Sequence, residues 1–181
     1  MNYQYVILEK KDGIGKVILN RPEARNALTP EVINDLVAAL EEASNDDSIG
    51  VVFLMGAGPV FCAGVDLKFA LGAVEGKLDE FYALLAPGPK LMKTIEDMDK
   101  PLIAAVHGAA VAAGFALTFF CDMVIVTEDT VMQDAHGRWG LVPGWTEPQI
   151  LARQIGIRKA KEIFLLGDRL SPEEAQRIGL V

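Results

Sequence analysis

The stretch that most constrains this chain is residues 107–122, HGAAVAAGFALTFFCD, because its first half carries little side-chain bulk and its second half has the composition of an apolar helix. Just before it, the apolar run Leu102–Val106 follows Pro101 and is typical of a buried strand. Gly108 and Gly114 indicate a tight loop between strand and helix. Such a loop leaves backbone N–H groups unpaired at the helix start. The stretch therefore predicts backbone donors that face a negatively charged oxygen.

Two other interpretations of this stretch are open at the level of sequence. Residues 102–120 contain one ionisable side chain, His107, over nearly the length of a membrane-spanning helix. The breaks at Pro101, Gly108 and Gly114 and the lack of flanking aromatic belts argue against a span. The other interpretation is that the alanine and glycine residues serve only to let two elements pack closely.

The composition excludes several classes of protein. A length of 181 residues, with 51% hydrophobic and 23% charged residues, is typical of one globular core domain. The net charge of −8 argues against a nucleic-acid partner, since no basic stripe is present. Cys62, Cys121 and the two histidines lack metal-ligand spacing, so we expect reduced thiols and no metal site. The N-terminal segment lacks the features of a signal peptide, and we expect a cytoplasmic protein without a membrane partner.

The N-terminal third has clear local signals. The alternating runs Tyr5–Lys10 and Ile14–Leu19 flank a turn and predict an antiparallel hairpin. Asn20–Leu28 contains a proline and two arginines and indicates an ordered loop. Thr29 is a typical N-cap ahead of Pro30, and the apolar spacing that follows predicts a helix ending near residue 44.

Another unit of strand, small-residue loop and helix is predicted earlier in the chain, ahead of residues 102–122. Val51–Met55 is wholly apolar and predicts a strand covered on both faces. It leads into Gly56–Gly64, GAGPVFCAG, and a helix is expected to begin near Asp66. Two such units place two loops at the same edge of one sheet, where ligands of open α/β sheets bind. This repetition favours a ligand site over close packing alone.

The rest of the chain alternates between irregular and periodic segments. Leu71–Asp99 is interrupted at Pro87-Gly88-Pro89 and is either a lid or pocket wall, or a surface connection. Met123–Thr127 predicts a strand and Val131–Asp134 an extended segment. Three helices are predicted after it: one from Thr146, one over Arg158–Leu166, and one opened by a capping box at Ser171–Glu174.

Six segments, in this order and at these separations, resemble the crotonase family, which is also called the enoyl-CoA hydratase/isomerase superfamily. They are NRPEARNALT at 20–29, FCAGVDLK at 61–68, KPLIAAVHGAAVAAGFAL at 100–117, CD at 121–122, WGLVPGW at 139–145 and the G-RLSPEEA-GLV pattern at 167–181. The resemblance implies an α/β fold, a ββα spiral with two roughly perpendicular β-sheets surrounded by helices. It also implies that residues 1–181 are one core domain without the C-terminal helices that complete the pocket and the trimer in the family. The expected assembly is a homotrimer, or a hexamer built as a dimer of trimers.

The resemblance also assigns roles to residues of the two loops. The backbone N–H groups of Val65 and Ala113 would grip the thioester oxygen of an acyl-CoA, and Arg25 and Lys68 would supply cations for its phosphates. No separate cofactor is expected, because coenzyme A is part of the substrate. The implied substrate-binding residues are Ala24, Arg25, Ala27, Ala63, Asp66, Leu67, Lys68, Ala109, Ala112, Ala116, Leu141 and Gly144.

The departures from the family pattern decide which chemistry to expect. Family hydratases use two glutamates, and the matching positions here are Ala116 and His136. Alanine cannot transfer a proton, so hydration by two glutamates is not expected. Asp134 lies two residues before His136 on the same face of an extended segment and could orient the imidazole as an acid or base. Glu147 is a further candidate carboxylate, although a helix start favours glutamate on its own.

Two functional hypotheses follow. The first is an enzyme that binds an acyl-CoA, stabilises an enolate or oxyanion, and moves a proton with His136 in decarboxylation, hydrolysis or C–C cleavage. A histidine at this position is also similar to the β-diketone hydrolases of the family. The second is a non-catalytic acyl-CoA-binding or oligomer-forming homologue, in which His136 is held only by packing. His107, at a strand end, is interpreted as structural.

Overall fold

The N-terminal hairpin forms one edge of the larger of two β-sheets. The computed structural model describes residues 3–68, 71, 79, 82–83 and 86–181. Within these residues the strands are β1 (Val6–Lys11), β2 (Ile14–Leu19), β3 (Val51–Gly56), β4 (Leu102–Val106), β5 (Ala109–Val111), β6 (Met123–Val126), β7 (Val131–Gln133) and β8 (Arg169–Leu170). The α-helices are α1 (Pro30–Ser44), α2 (Gly88–Glu96), α3 (Ala113–Phe120), α4 (Glu147–Ile155), α5 (Ile157–Leu166) and α6 (Pro172–Arg177). Short 3-10 helices lie at Pro22–Ala24 and Gly137–Trp139.

The larger sheet has the strand order β1-β2-β3-β4-β6. The predicted hairpin is confirmed: β1 and β2 are antiparallel, and Asp12 and Gly13 between them both have positive φ, as a tight hairpin turn requires. The remaining neighbours pair in parallel, so β3 and β4 end at the same edge of the sheet. The expectation that β3 is covered on both faces is half right, because Val52 and Leu54 are buried while Phe53 on the other face is half-buried.

The smaller sheet, β5-β7-β8, contains a strand that the sequence did not indicate. Residues 107–114 were predicted to be a loop, but Ala109–Val111 pairs in parallel with β7. Residues 102–120 are therefore divided into β4, β5 and the eight-residue helix α3. In the described part of the chain, no helix is long and apolar enough to cross a membrane.

Helix α1 covers one face of the hairpin and also contacts α2. It begins as predicted, with Pro30 in the first turn and the Thr29 hydroxyl oxygen accepting a hydrogen bond from the Val32 N–H. Its inward face is apolar and buried in the core beside Leu19 and Leu54. The buried residues of this face are Val32, Ile33, Leu36, Val37, Ala39, Leu40 and Ala43.

The later helices agree with their predicted starts. Helix α2 begins at Gly88, so the Pro-Gly-Pro break is a helix start. Ser171 caps α6, since its hydroxyl oxygen accepts a hydrogen bond from the Glu174 N–H at 3.2 Å. Residues 67 and 68 are helical, as expected near Asp66. The rest of that predicted helix, and most of the segment interpreted as a lid or surface connection, lies outside the described residues.

Candidate active site

The two small-residue loops predicted from sequence lie against each other and are joined through backbone hydrogen bonds. The Phe61 N–H donates to the His107 carbonyl at 3.0 Å, and the Cys62 N–H donates to the Ala109 carbonyl at 3.1 Å. The Val111 N–H returns to the Cys62 carbonyl at 3.0 Å. Because each bond uses only backbone atoms, the loops hold their relative position with almost no side chains between them. This arrangement confirms that the loops share one edge of the fold.

Two glycines permit this close approach. A Cβ atom on Gly114 would collide with the Cys62 carbonyl oxygen and would lie 2.8 Å from the Cys62 Cβ. A Cβ atom on Gly64, whose φ is +93°, would lie 2.7 Å from the Val111 carbonyl oxygen and 3.4 Å from the Ala113 nitrogen. The loop that carries Val65 is therefore packed directly on the N-terminus of α3.

The predicted oxyanion donors are available at this contact. Within the described residues, neither the Val65 N–H nor the Ala113 N–H donates a hydrogen bond to a protein acceptor. Val65 is half-buried and Ala113 is 2% exposed. Ala112 precedes the helix with φ +48° and ψ −119°, an unfavourable conformation for a residue with a Cβ. A 2.9 Å hydrogen bond from the Ala112 N–H to the Gln133 carbonyl helps to hold it there.

Asn26 joins a third segment to the two loops, and sequence reasoning missed this role. The residue is fully buried, and its side-chain amide lies within 3.1 Å of the carbonyl oxygens of Ala57, Val60 and Phe61. Its Oδ1 accepts a hydrogen bond from the Arg21 N–H at 2.9 Å. The available signal was the residue type, because asparagine in a loop tolerates the left-handed conformation that Asn26 adopts, with φ +54°.

The His136 imidazole is held by Asp134, as the two-residue spacing predicted. The Nδ1 atom lies 2.8 Å from Asp134 Oδ2, and the His136 backbone N–H donates to Asp134 Oδ1 at 3.1 Å. Burial opposes protonation of the ring, but the hydrogen bond and the charges of Asp134 and Glu147 outweigh it and raise the pKa of His136. Within the described residues the Nε2 atom makes no hydrogen bond, so that face of the ring can meet a ligand.

Glu147 points back into the protein from the first position of α4. Its Oε2 accepts a 2.6 Å hydrogen bond from the Trp145 N–H, and the residue is 2% exposed. Burial, with a contribution from the nearby Asp134 charge, raises the pKa of Glu147 despite that hydrogen bond and the favourable effect of His136. Thr146, between Trp145 and Glu147, has φ +66°, which is strained for a β-branched residue. The carboxyl group is thus aimed inward by a strained turn.

The residues expected to contact coenzyme A divide into exposed cations and a structural ion pair. Arg25 and Lys68 are exposed, and neither forms an ion pair within the part of the chain that is described. Asp66 instead is buried, and its carboxylate accepts from Arg21 Nη1 at 2.7 Å and from the Lys68 N–H at 3.1 Å. Burial opposes this charge, but Arg21 and the backbone donor lower the pKa of Asp66. Both carboxylate oxygens are therefore already engaged.

The other predicted site residues lie around the two loops. Ala24, Ala63, Ala109 and Ala112 are half-buried, Ala27 and Ala116 are buried, and Leu67, Leu141 and Gly144 are exposed. His107 is structural in the sense expected, since its Nε2 lies 2.8 Å from the Gly58 carbonyl oxygen. Cys62 and Cys121 are free and buried, and burial raises the pKa of the Cys62 thiol to about 12. Among the described residues no group of His, Cys, Asp and Glu could hold a metal ion.

The fold and the site together define an α/β protein of the crotonase type, in which two paired loops present free backbone donors and a half-buried histidine is held by a buried acid. The chain belongs to the enoyl-CoA hydratase/isomerase family, whose model matches residues 9–181. Its fold matches a solved enoyl-CoA hydratase of Polaromonas sp. JS666 with a TM-score of 0.89 and 33% identity, over 97% of this chain and 68% of that one.

Two relatives show what share of a family member's length the chain covers. It is 35% identical to the crotonyl-CoA hydratase of Syntrophomonas wolfei, over 100% of this chain and 69% of that protein. It is 33% identical to an Arabidopsis thaliana protein named probable peroxisomal enoyl-CoA hydratase 1, over 97% of this chain and 64% of that protein. The chain thus spans about two thirds of the length of these relatives.

Proposed function

We propose that the chain binds an acyl-CoA thioester and stabilises the negative oxygen of an enolate or a tetrahedral intermediate with the Val65 and Ala113 N–H groups. The observation that carries the proposal is that both donors lack a protein acceptor within the described residues while their loops touch. Backbone donors are fixed before the reaction begins, so they need little reorganisation as charge develops on the oxygen. The Ala113 N–H also lies at the start of α3, where the helix dipole favours a negative ligand.

The exposed cations Arg25 and Lys68 suit the phosphates of coenzyme A. Arg25 sits in the loop that Asn26 anchors, and its carbonyl oxygen accepts a hydrogen bond from the Ala63 N–H at 3.0 Å. Lys68 follows the oxyanion loop after Val65. Both cations thus adjoin the loop that carries Val65, and in a chain whose net charge is −8 they would give the proposed site a local attraction for an anionic ligand.

His136 is proposed as the group that moves the proton. Its Nδ1 is held by Asp134, so Nε2 is the atom available to the substrate. The S. wolfei relative is named a hydratase, but Ala116 and His136 occupy the positions of the two glutamates implied by the family resemblance. We therefore propose a reaction that needs the oxyanion donors and one proton-transfer group: decarboxylation, thioester hydrolysis or C–C cleavage. A cytoplasmic location and assembly as a trimer, or as a dimer of trimers, belong to the same proposal.

Replacing Val65 with proline tests the oxyanion role directly. The variant loses one donor, and we expect kcat to fall about a hundredfold with a much smaller change in KM. The matched control is Val65→Ala, which keeps the N–H and should retain most of the activity. The kcat and KM of both variants are measured by product analysis with enoyl-, malonyl- and β-ketoacyl-CoA thioesters.

His136→Ala completes the test. If it leaves turnover of every thioester unchanged, the proton-transfer role is wrong. If wild-type protein turns over none of them but still binds CoA thioesters, the chain is a binder and the enzymatic proposal fails. Equal losses in kcat and in substrate affinity for Val65→Pro would instead show that the loop serves only structure.

A further inference from the structure

The direction of the Val65 N–H is set by the residues on either side of it. The Leu28 N–H donates to the Gly64 carbonyl at 2.8 Å, and the Asp66 N–H donates to the Leu28 carbonyl at 2.9 Å. These two bonds make Leu28 and Val65 an isolated parallel bridge. In a parallel bridge of this pattern, the residue between the two bonded neighbours turns its own N–H and C=O away from the partner chain. The Val65 N–H therefore points away from Leu28, and it has no acceptor among the described residues.

The loop that carries Val65 lies between this bridge and the start of α3. On the α3 side, a Cβ atom added to Gly64 would lie 2.7 Å from the Val111 carbonyl oxygen and 3.4 Å from the Ala113 nitrogen. On the other side, the loop is held by its two hydrogen bonds to Leu28. The position of the Val65 N–H relative to the Ala113 N–H thus depends on how firmly the loop is tied to Leu28.

A guanidinium group strengthens this tie from the side. Arg21 Nη1 donates to Asp66 Oδ2 at 2.7 Å and to the Ala27 carbonyl at 3.2 Å. Ala27 directly precedes Leu28, and Asp66 directly follows Val65, so one nitrogen atom joins the two chains just beside the bridge. The side chains of Arg21 and Asp66 are 21% and 11% exposed. Partial shielding from solvent makes this charge-assisted bond stronger than an exposed ion pair.

Both members of the ion pair are themselves anchored to the backbone. The second carboxylate oxygen of Asp66, Oδ1, accepts from the Lys68 N–H at 3.1 Å. The Arg21 N–H donates to the Oδ1 atom of the buried Asn26 at 2.9 Å. The Asp66 carboxylate thus has a protein donor on each oxygen, which favours a role inside the protein over direct contact with a ligand.

We infer that Arg21 and Asp66 are positioning residues for the proposed reaction, because their ion pair fixes the Val65 N–H in the direction of the thioester oxygen. The inference rests on the proposed function, in which that oxygen accepts from Val65 and Ala113. Neither Arg21 nor Asp66 touches the substrate in this role. A donor stabilises the developing charge only when it lies within about 2.7–3.1 Å of the oxygen. A displacement of about 1 Å can cost about a hundredfold in rate, so even a small loosening of the loop should lower kcat.

Replacing Asp66 with asparagine tests the role, because the side chain keeps its shape and loses its charge. We expect kcat to fall about tenfold, while KM and the affinity for free CoA change less than about twofold. The matched control is Asp168→Asn, which removes the acid of the exposed ion pair with Arg138. It should leave kcat unchanged. Circular dichroism and thermal unfolding confirm that each variant is folded.

A double-mutant cycle shows whether Asp66 acts through the Val65 donor. Val65→Pro removes the N–H, so adding Asp66→Asn to that variant should lower kcat no further. The same addition should still lower the temperature of unfolding, because the ion pair with Arg21 is lost in either background. A purely structural or ligand-binding role would instead give losses of kcat that combine additively.

A spectroscopic measurement reports on the donor without turnover. Hydrogen bonds to a thioester oxygen polarise its carbonyl group and lower the stretching frequency. Butyryl-CoA labelled with carbon-13 at the thioester carbon should show this shift by infrared spectroscopy when it binds to wild-type protein. With Asp66→Asn the band should move back toward that of the free thioester, and with Asp168→Asn it should not move.

Three results would overturn the inference while the proposed function stands. They are a wild-type kcat for folded Asp66→Asn, additive losses of kcat in the cycle, and a loss of CoA affinity as large as the loss of kcat. The last would make Asp66 a ligand contact. If wild-type protein turns over no thioester and does not shift the carbonyl band, the proposed function fails and the inference fails with it.

Discussion

At the scale of single residues, Asn26 has a larger structural role than any residue that was predicted to contact substrate. Its side-chain amide is the shared donor for three carbonyl oxygens of the loop that leads to Val65, and its Oδ1 accepts a hydrogen bond from the Arg21 N–H at 2.9 Å. Asparagine is the only side chain that supplies two N–H donors and an acceptor from so short a stem.

Asn26→Ala should therefore destabilise the fold. It leaves the carbonyls of Ala57, Val60 and Phe61 short of a buried donor, and we expect a loss of about 2–4 kcal/mol in the free energy of unfolding. Urea denaturation measures this change in the free energy of unfolding. Asn45→Ala is the control, because Asn45 makes one exposed side-chain hydrogen bond, to the Glu41 carbonyl, and should cost much less. Equal losses for the two variants would contradict the role given to Asn26.

His136 should make stability depend on pH in a predictable direction. Its pKa is raised in the folded protein, so the native state binds the proton more tightly than the unfolded chain does. The stabilisation is complete below about pH 6.5, the ordinary value for histidine, and is lost as pH rises through the raised pKa. The unfolding free energies of wild type and His136→Gln should converge across this window. A difference that grows with pH would contradict the charge arrangement.

At the scale of elements, the contact between α3 and the Cys62 loop depends on the absence of a side chain at Gly114. Alanine is normally the better helix residue by about 1 kcal/mol. Here its methyl group would collide with the Cys62 carbonyl oxygen, so the helix would have to move away from the loop.

Gly114→Ala should destabilise the protein by about 1–3 kcal/mol and should also lower kcat, because the two oxyanion donors would separate. Gly50→Ala is the matched control, since its methyl group would have no neighbour closer than the Gly13 carbonyl oxygen at 3.8 Å. Thermal unfolding and kcat are measured for both variants. A Gly114→Ala protein of wild-type stability and activity would show that the loops can adjust without loss.

The elements that sequence predicted well are those whose own residues specify them. The hairpin, α1 and β3 each have a clear hydrophobic period or cap, and the structure places them within a residue of the predicted bounds. Strand β5 was missed because three residues give no period, and its pairing is specified by β7 and the Cys62 loop. The strain at Ala112 and Thr146 was also invisible, because surrounding contacts impose it against local preference.

At the scale of the whole molecule, the net charge of −8 makes any anionic ligand depend on a few local cations. Arg25 and Lys68 are exposed near the loops, whereas Arg21 is committed to Asp66. The binding of coenzyme A should therefore be sensitive both to these two residues and to ionic strength.

Arg25→Ala with Lys68→Ala should weaken CoA binding about tenfold at low salt, which corresponds to ~1.4 kcal/mol. The loss should shrink as salt is added, because the attraction is screened. Arg153→Ala with Lys161→Ala removes the same charge from exposed positions on α4 and α5 and controls for net charge. Isothermal titration calorimetry gives both affinities. If the control weakens binding as much, the phosphates are not held where we propose.

The sequence predicted which residues belong to the candidate site better than it predicted the contacts between them. The residues of both loops, the Asp134–His136 pair and Glu147 could be found from spacing and resemblance. Sequence could not show that Asp66 is already paired with Arg21, since those residues are 45 positions apart and meet only in the fold. It also could not show that Glu147 is buried, because a glutamate at a helix start is usually solvated.

The proposed oxyanion donors belong to the peptide bond, and this affects how the protein can change over generations. A mutation at position 65 or 113 alters a side chain but leaves the N–H, unless the new residue is proline. The capacity to hold a charged oxygen is thus shielded from most point mutations, provided that the glycines beneath it stay. The residues proposed to transfer a proton have no such protection, because each depends on one side chain. With this architecture, a substitution at one of those side chains would change the proposed reaction and leave the proposed oxyanion contact in place.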